Sequence, residues 1–456
     1  MSANIASMLD TPERMVRADP ARTIELTGRW FVLLVVATWA SGVVIGFERA
    51  LTLLVTMGFV GAVAGLSYPA VGLLSVAMLC ALDTPARVYM LVGGLLRYNT
   101  FNYWLLITLL LGLWYVRRMH DPHTRLLQLF VVLLGIGLIV SPNLTFGLQH
   151  FLNIAAPFGL LVYFAPAASS ATVWLWLGVS SGMVGAGGGL LYYLQRGNLA
   201  YINGNAWALF PLTALFAICL AYPFAMELRR GRIALMLLAV VNCAWVFLSG
   251  SRGGLLMALV CMAYLILVMR GVGGRLTLLI IAGIVAVAVS TQFTDLQAHT
   301  LHRIDRLFNS QVSLVSRTSG RSELMRGGVA IFMEHPLGVG TGGFAHAWSQ
   351  LPPSLRIAFG RGQEFQSHSA WVKVLAENGV PGILLFASYV GSFLVVGVLS
   401  RERQRWVLGL LVTIVLSAAF GTTEFQSKGL WFLAAGATTL LHRRQIAALL
   451  RERQQE

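Results

Sequence analysis

Two arginines and one histidine are the residues in this chain whose type and setting point to chemistry. Arg252 lies in LSGSRGG, a predicted hairpin tip between two apolar runs, where Gly250, Gly253 and Gly254 leave the backbone bare beside Ser251 and the guanidinium. An approaching anion would meet the guanidinium and unhindered peptide N–H groups together; snorkelling to lipid headgroups is the structural alternative. Arg321 opens the predicted helix of SRTSGRSELMRGGVAIFMEHP, with Ser319 or Gly320 as cap, Glu323 in the first turn and Pro336 as the stop. A cation at a helix start opposes the macrodipole, which suits Arg321 to an anion that the helix start also attracts. A pair with Glu323 or Glu334 is the alternative there.

His368 begins the helix expected in SHSAWVKVLAENGVPG, with Ser367 as N-cap and an apolar stripe of Ala370, Trp371, Val374 and Leu375. Asn378 and Gly379 stop that helix, and Pro381 opens the next. At a helix start among arginines a neutral imidazole is favoured, and such an imidazole can take a proton as a general base. A headgroup-level histidine with one structural hydrogen bond is the competing reading. His335 and His346 are further candidates, but neither has H-E-x-x-H spacing and carboxylates are sparse, so no metal site is expected. GVGTGG, residues 338–343, matches G-x-G-x-x-G without the strand that a dinucleotide site needs. It is expected to be a flexible connection where backbone passes close to something, with no nucleotide assigned.

The elements that must position these groups are membrane helices. The chain has 456 residues, 57% hydrophobic and 11% charged, with a mean hydropathy of +0.73; soluble domains carry about a quarter charged residues. The net charge of +15 comes almost wholly from arginine, since Lys373 and Lys428 are the only lysines. Basic loops that set membrane orientation account for it better than nucleic acid does. Cys80, Cys219, Cys243 and Cys261 lie in apolar runs without CxxC spacing, which indicates neither a disulfide frame nor a zinc site.

Apolar runs predict spans near 30–47, 50–66, 69–83, 100–116, 126–141, 150–167, 171–193, 205–226, 233–249, 252–269, 276–292, 380–400, 406–421 and 428–442. The connections at Ser67–Pro69 and at Ser169 and Ser170 carry no charge, so the expected count is 12–14. Six basic clusters, in the leader and around Arg117, Arg229, Arg270, Arg401 and Arg443, are separated by even numbers of spans. All six can therefore be cytoplasmic, with both termini inside and the polar stretch 293–379 outside. The expected organisation is a leader (1–29), a bundle (30–292), a helical outer loop (293–379), closing spans (380–442) and a tail (443–456). Gly182, Gly185, Gly187, Gly188 and Gly189 predict close helix packing.

SGSRGG, GRSELMRGG, EHPLGVGTGGF and HSAWVKVLAENGVPG, in that order in a polytopic chain with one large outer loop before the last spans, resemble the O-antigen ligase and polymerase superfamily. The resemblance covers about Ser249 to Gly382 and implies an all-α inner-membrane enzyme acting on glycans carried by undecaprenyl diphosphate at the periplasmic face. It implies functional arginines at Arg252 and Arg321, the family histidine at His368 and its glutamate at Glu377. Ser369 stands where asparagine is frequent in the family. Size and the lack of a further soluble domain look more like the ligase, whose acceptor is a sugar hydroxyl of lipid A-core. The expected mechanism needs no metal or cofactor: Arg252 and Arg321 hold the diphosphate, with Arg317 and Arg196 as further contacts, and His368 is the base. An O-antigen polymerase and a lipid-linked glycan flippase are the alternatives.

Overall fold

The computed structural model describes residues 20–89, 108–109, 111–113, 115–168, 170–195, 204–225, 229–269, 271–293, 301–302, 305, 321–352, 367–400, 402–422 and 427–455. The first part of the leader, most of the predicted 100–116 span, Arg196 and Arg317 lie outside the described residues, as does the Arg321 side chain. The fold is all-α. Its helices are α1 (Pro20–Ile45), α2 (Phe47–Ala64), α3 (Pro69–Tyr89), α4 (Pro122–Ile139), α5 (Leu144–Ala167), α6 (Ala171–Gln195), α7 (Gly204–Ala225) and α8 (Arg229–Leu248). There follow α9 (Arg252–Val268), α10 (Val272–Gln292), α11 (Arg321–Glu334), α12 (Phe344–Gln350), α13 (Ala370–Leu399), α14 (Arg403–Thr422), α15 (Lys428–Leu441) and α16 (Arg443–Gln455).

Among the described residues ten helices are long and apolar enough to cross a membrane, and Pro69–Asp83 and Arg252–Val268 are shorter apolar helices. Both uncharged connections are real breaks: α2 ends before a turn at Gly65–Ser67, and α5 ends three residues before α6 begins. Lipid offers backbone groups no partner, so a span bonds its backbone within its own helix or to other parts of the protein. α5, α7 and α15 form the interior, whereas α1, α4 and α10 keep most of their apolar surface outside the protein core. α15 has 14 residues, about 21 Å of helix, less than the roughly 30 Å hydrocarbon thickness. It is nonetheless buried along its length, and the Lys428 ammonium at its start donates to Asn153 Oδ1 of α5.

The glycine cluster of α6 does what its composition predicts. Gly182, Gly185 and Gly189 admit Leu238, Asn242 and Trp245 of α8, while Gly187 and Gly188 admit Trp39 of α1 and Phe210 of α7. Asn242 Nδ2 donates to Gly182 O at 3.0 Å across this interface, a polar tie that close approach of two backbones permits.

Among the described residues, arginines of the last two basic clusters gather at one end of the bundle. Arg403 donates to Leu267 O at 3.0 Å, Arg405 and Arg444 flank Glu402 at 3.1 and 3.9 Å, and Arg443 lies over the Phe224 ring at the end of α7. His442 at the end of α15 faces Asp121 at the start of α4, 3.7 Å away.

At the opposite end, the Gly338–Phe344 connection locks α13 to α4. Pro381 has no N–H for the Glu377 carbonyl, and Gly379, at φ 60° and ψ −153°, breaks the helix just before it. Gly340 N supplies the missing donor to Glu377 O (2.9 Å), Val339 N bonds Ala376 O (3.1 Å), and Val380 N turns away to Pro336 O (3.1 Å). Thr341 N takes Gly137 O (3.1 Å) at the open end of α4, and its hydroxyl takes Leu134 O (2.9 Å). The glycine-rich connection is thus fixed rather than flexible, and what its backbone approaches is other backbone. A Cβ at Gly379 would overlap Pro336 O, whereas Gly391, later in α13, faces open space. Gly379→Ala should therefore cost at least about 1–3 kcal/mol, read as a lower unfolding midpoint in detergent, while Gly391→Ala should leave the midpoint unchanged or raise it. Equal midpoints for the two variants would refute this account of the break.

Candidate active site

α9 begins where Ser249 and Ser251 build a turn. Ser249 Oγ donates to Val246 O (2.6 Å) and accepts from Ser251 N (3.2 Å), Gly250 turns at φ 66°, and Ser251 Oγ caps the helix by accepting from Gly254 N (3.1 Å). Arg252 is thereby the first helical residue, half-buried, as its hairpin setting predicts. Ser251 supports it as the cap.

His368 sits differently from the expectation. Ser369, not Ser367, is the N-cap of α13: its Oγ accepts from Val372 N and donates to Phe420 O (3.3 Å). Ser367 cannot cap because its hydroxyl is used locally, donating to Ser369 O (2.8 Å) and accepting from Ser369 N (3.3 Å). His368 is held between them, exposed and at φ 52°, outside the helix by one residue. A left-handed conformation at a non-glycine residue costs on the order of 1–3 kcal/mol and is retained where surroundings over-determine it. The flanking serines do so here, and the helix start acts on the imidazole from two residues further away than the sequence reading places it. Serine and asparagine are equivalent caps, so Ser369 preserves the function an asparagine would have there.

Arg252 and His368 occupy the same end of the bundle. α9 packs along α14, and Leu267, near the finish of α9, meets Arg403, at the start of α14. With 17 and 20 residues in the two helices, equal rise per residue brings Arg252 to the depth of Phe420, whose carbonyl holds Ser369. This is the end away from the basic clusters. Arg321 opens α11 as predicted, and that helix finishes before Pro336. α11 docks through Gly327 against the Trp348 ring and through Gly328 against Val372, within a small core of Leu324, Ile331, Phe344, Trp348, Leu351 and Ala376. The start of α13 is tied further by Trp371 Nε1, which donates to Ser417 O at 3.0 Å.

Glu377 is buried beneath this core. Its Oε1 accepts from Phe344 N (3.3 Å), the first residue of α12, and its Oε2 lies 3.6 Å from His150 Nδ1 of α5. His150 Nε2 lies 2.8 Å from Lys373 Nζ. An ammonium can only donate, so Nε2 accepts and the ring proton belongs on Nδ1, directed toward the carboxylate. Lys373, His150 and Glu377 thus form a buried chain in which one cation and one anion compensate each other. Sequence reasoning missed Lys373 and His150. The available signal was the rarity of lysine: both lysines of the chain are buried, and both reach α5, at His150 and at Asn153.

Residues 233–387 match the family model described as O-antigen ligase. That segment, about a third of the chain, runs from α8 into the second half of α13 and contains Arg252, Arg321, His368 and Glu377. The match supports assignment to the O-antigen ligase superfamily. No curated protein matches the chain.

Replacing Lys373 by methionine leaves a buried carboxylate without its cation, a loss of about 3–5 kcal/mol. Lys373→Met should lower the unfolding midpoint in detergent, and adding Glu377→Gln should recover part of the loss. A single variant as stable as wild type, or a double variant no better than the single, would contradict the charge-compensated chain.

Proposed function

We propose that the protein is an O-antigen ligase, transferring a glycan from undecaprenyl diphosphate to a sugar hydroxyl of lipid A-core at the periplasmic face of the bacterial inner membrane. The carrying observation is the shared placement of Arg252 and His368 at the end of the bundle away from the arginine clusters, on either side of the end of α14. Under the tendency of arginine-rich loops to stay in the cytoplasm, that end faces the periplasm.

The donor already carries a good leaving group, so the enzyme must stabilise a departing diphosphate and remove one proton. Arg252 and Arg321 hold the diphosphate oxygens, assisted by Arg317 and Arg196, because guanidinium is permanently charged and binds phosphate oxygens in pairs. His368 takes the proton of the acceptor hydroxyl as its oxygen attacks the anomeric carbon. The bond from that carbon to the diphosphate oxygen breaks, undecaprenyl diphosphate leaves with the electron pair, and the configuration inverts. Ser251 and Glu377 act indirectly, the first as cap beneath Arg252 and the second as anchor of the Phe344 amide.

An O-antigen polymerase would use the same donor chemistry with a lipid-linked glycan as acceptor. Reaction with purified lipid A-core separates the two, and glycan transfer in detergent, where there are no sides to move between, excludes a flippase. With defined donor and acceptor and a chelator present, His368→Ala should lower the rate by roughly 10²–10⁴. Arg252→Lys should fail to restore activity lost in Arg252→Ala, since an ammonium does not reproduce the paired contact. Near wild-type transfer by His368→Ala would overturn the assignment of the base.

A further inference from the structure

At the arginine-bearing end, away from the candidate active site, Asp121, His123 and His442 bring one ligand atom each to within 4.8 Å of one another. We propose that these three side chains form a binding site for a borderline divalent transition metal of the zinc class. The polar atoms involved are buried and lack hydrogen-bond partners: Asp121 Oδ2, His123 Nε2 and His442 Nε2, with Asp121 and His123 only 3% and 1% exposed.

The hydrogen bonding around His123 fixes which nitrogen is free. Ser392 Oγ donates to Tyr389 O at 2.6 Å, so toward His123 Nδ1, also 2.6 Å away, it can act only as acceptor. The ring proton therefore sits on Nδ1, and Nε2 presents a lone pair to the cluster. A ligand histidine whose second nitrogen is held by an outer partner is the usual arrangement around bound zinc. The ring is further fixed by stacking on Phe393, with centroids 4.2 Å apart, and by its edge contact with His442 at 5.1 Å. Asp121 is oriented by its own cap, Oδ1 accepting from Thr124 N at 2.9 Å.

Two imidazoles and one carboxylate suit zinc, with a fourth position for water, and metal bonds of about 2.0–2.2 Å require the three groups to draw together by about 1 Å. Glu402 lies between Arg405 and Arg444 and offsets part of their charge near the site. A bound ion would join the start of α4 to the end of α15, with Ser392 of α13 behind it.

The test uses the full chain in detergent, without a histidine tag, stripped with chelator, incubated with Zn²⁺ and freed of excess metal. Wild type should retain about one zinc per chain, held by the three side chains and a water, and loaded with Co²⁺ it should show the visible bands of a four-coordinate ion. His442→Gln should lose both signals. Asp121→Asn should weaken retention while keeping the helix cap, since asparagine caps as well as aspartate. Ser392 holds the ligand His123 without reaching the ion itself, so Ser392→Ala should lower affinity about 10–100-fold, which keeps the test decisive even where a ligand variant folds poorly. Zn²⁺ should raise the unfolding midpoint of wild type and not of His442→Gln. Zinc retention by wild type no greater than by His442→Gln, or unchanged affinity in Ser392→Ala, would overturn the site and leave Asp121 and His442 as a plain polar contact.

Discussion

A proline inside a helix that must cross lipid leaves one carbonyl without its donor, and much of the candidate active site is organised by how this chain answers that demand at Glu377. Pro381 cannot bond the Glu377 carbonyl, and Gly379 swings Val380 N away toward Pro336. The vacated acceptors are filled by Val339 and Gly340, so backbone hydrogen bonds draw the connection after α11 against α13. The same residue closes the arrangement through its side chain, since Glu377 Oε1 accepts the Phe344 amide where α12 begins. Burial makes these bonds costly to break, because each freed group would find neither water nor another partner.

That junction turns a membrane helix into a platform. Residues 370–378 of α13 pack with α11 and α12 around Trp348 and Ile331, while residues 380–399 continue into the bundle. Lys373 and Glu377, one turn apart, straddle His150 of α5. His368 stands just ahead of this platform, and its backbone conformation is set by Ser367 and Ser369, of which Ser369 also reaches Phe420 of α14. The imidazole is thereby referenced to two helices, α13 and α14.

Much of this was legible in the sequence, for physical reasons that differ by element. Apolar runs ended by arginine give spans because lipid imposes both length and composition, and the glycine cluster of α6 announced the packing that Trp39, Phe210 and Trp245 complete. Arg252 at a capped hairpin tip and Arg321 at a helix start follow from local chemistry, and both were readable. The cap of α13 was misplaced by two residues because three successive residues, Ser367, His368 and Ser369, offer two equally good caps. Only the tertiary contact with Phe420 and the local bond within the pair select Ser369. His150 with Lys373, and His123 with His442, join residues more than two hundred positions apart, a proximity that no periodicity encodes. GVGTGG was expected to be a flexible connection, but its backbone is fixed on helix ends of the protein itself.

The two ends of the bundle solve opposite electrostatic problems. At the arginine-bearing end the cations find carbonyls, an aromatic face and Glu402 within the protein, as Arg403, Arg443, Arg405 and Arg444 show. At the other end the arginines singled out by the sequence stand at the starts of α9 and α11, where the helix dipole adds to their positive charge instead of offsetting it. Stability alone would place acidic residues at those starts. A helix start that concentrates positive charge, on elements fixed by a serine cap and by the Trp348 core, suits an anion, which is the role the proposed reaction gives it. Under the proposed transfer, the exposed side of His368 is the side open to an acceptor.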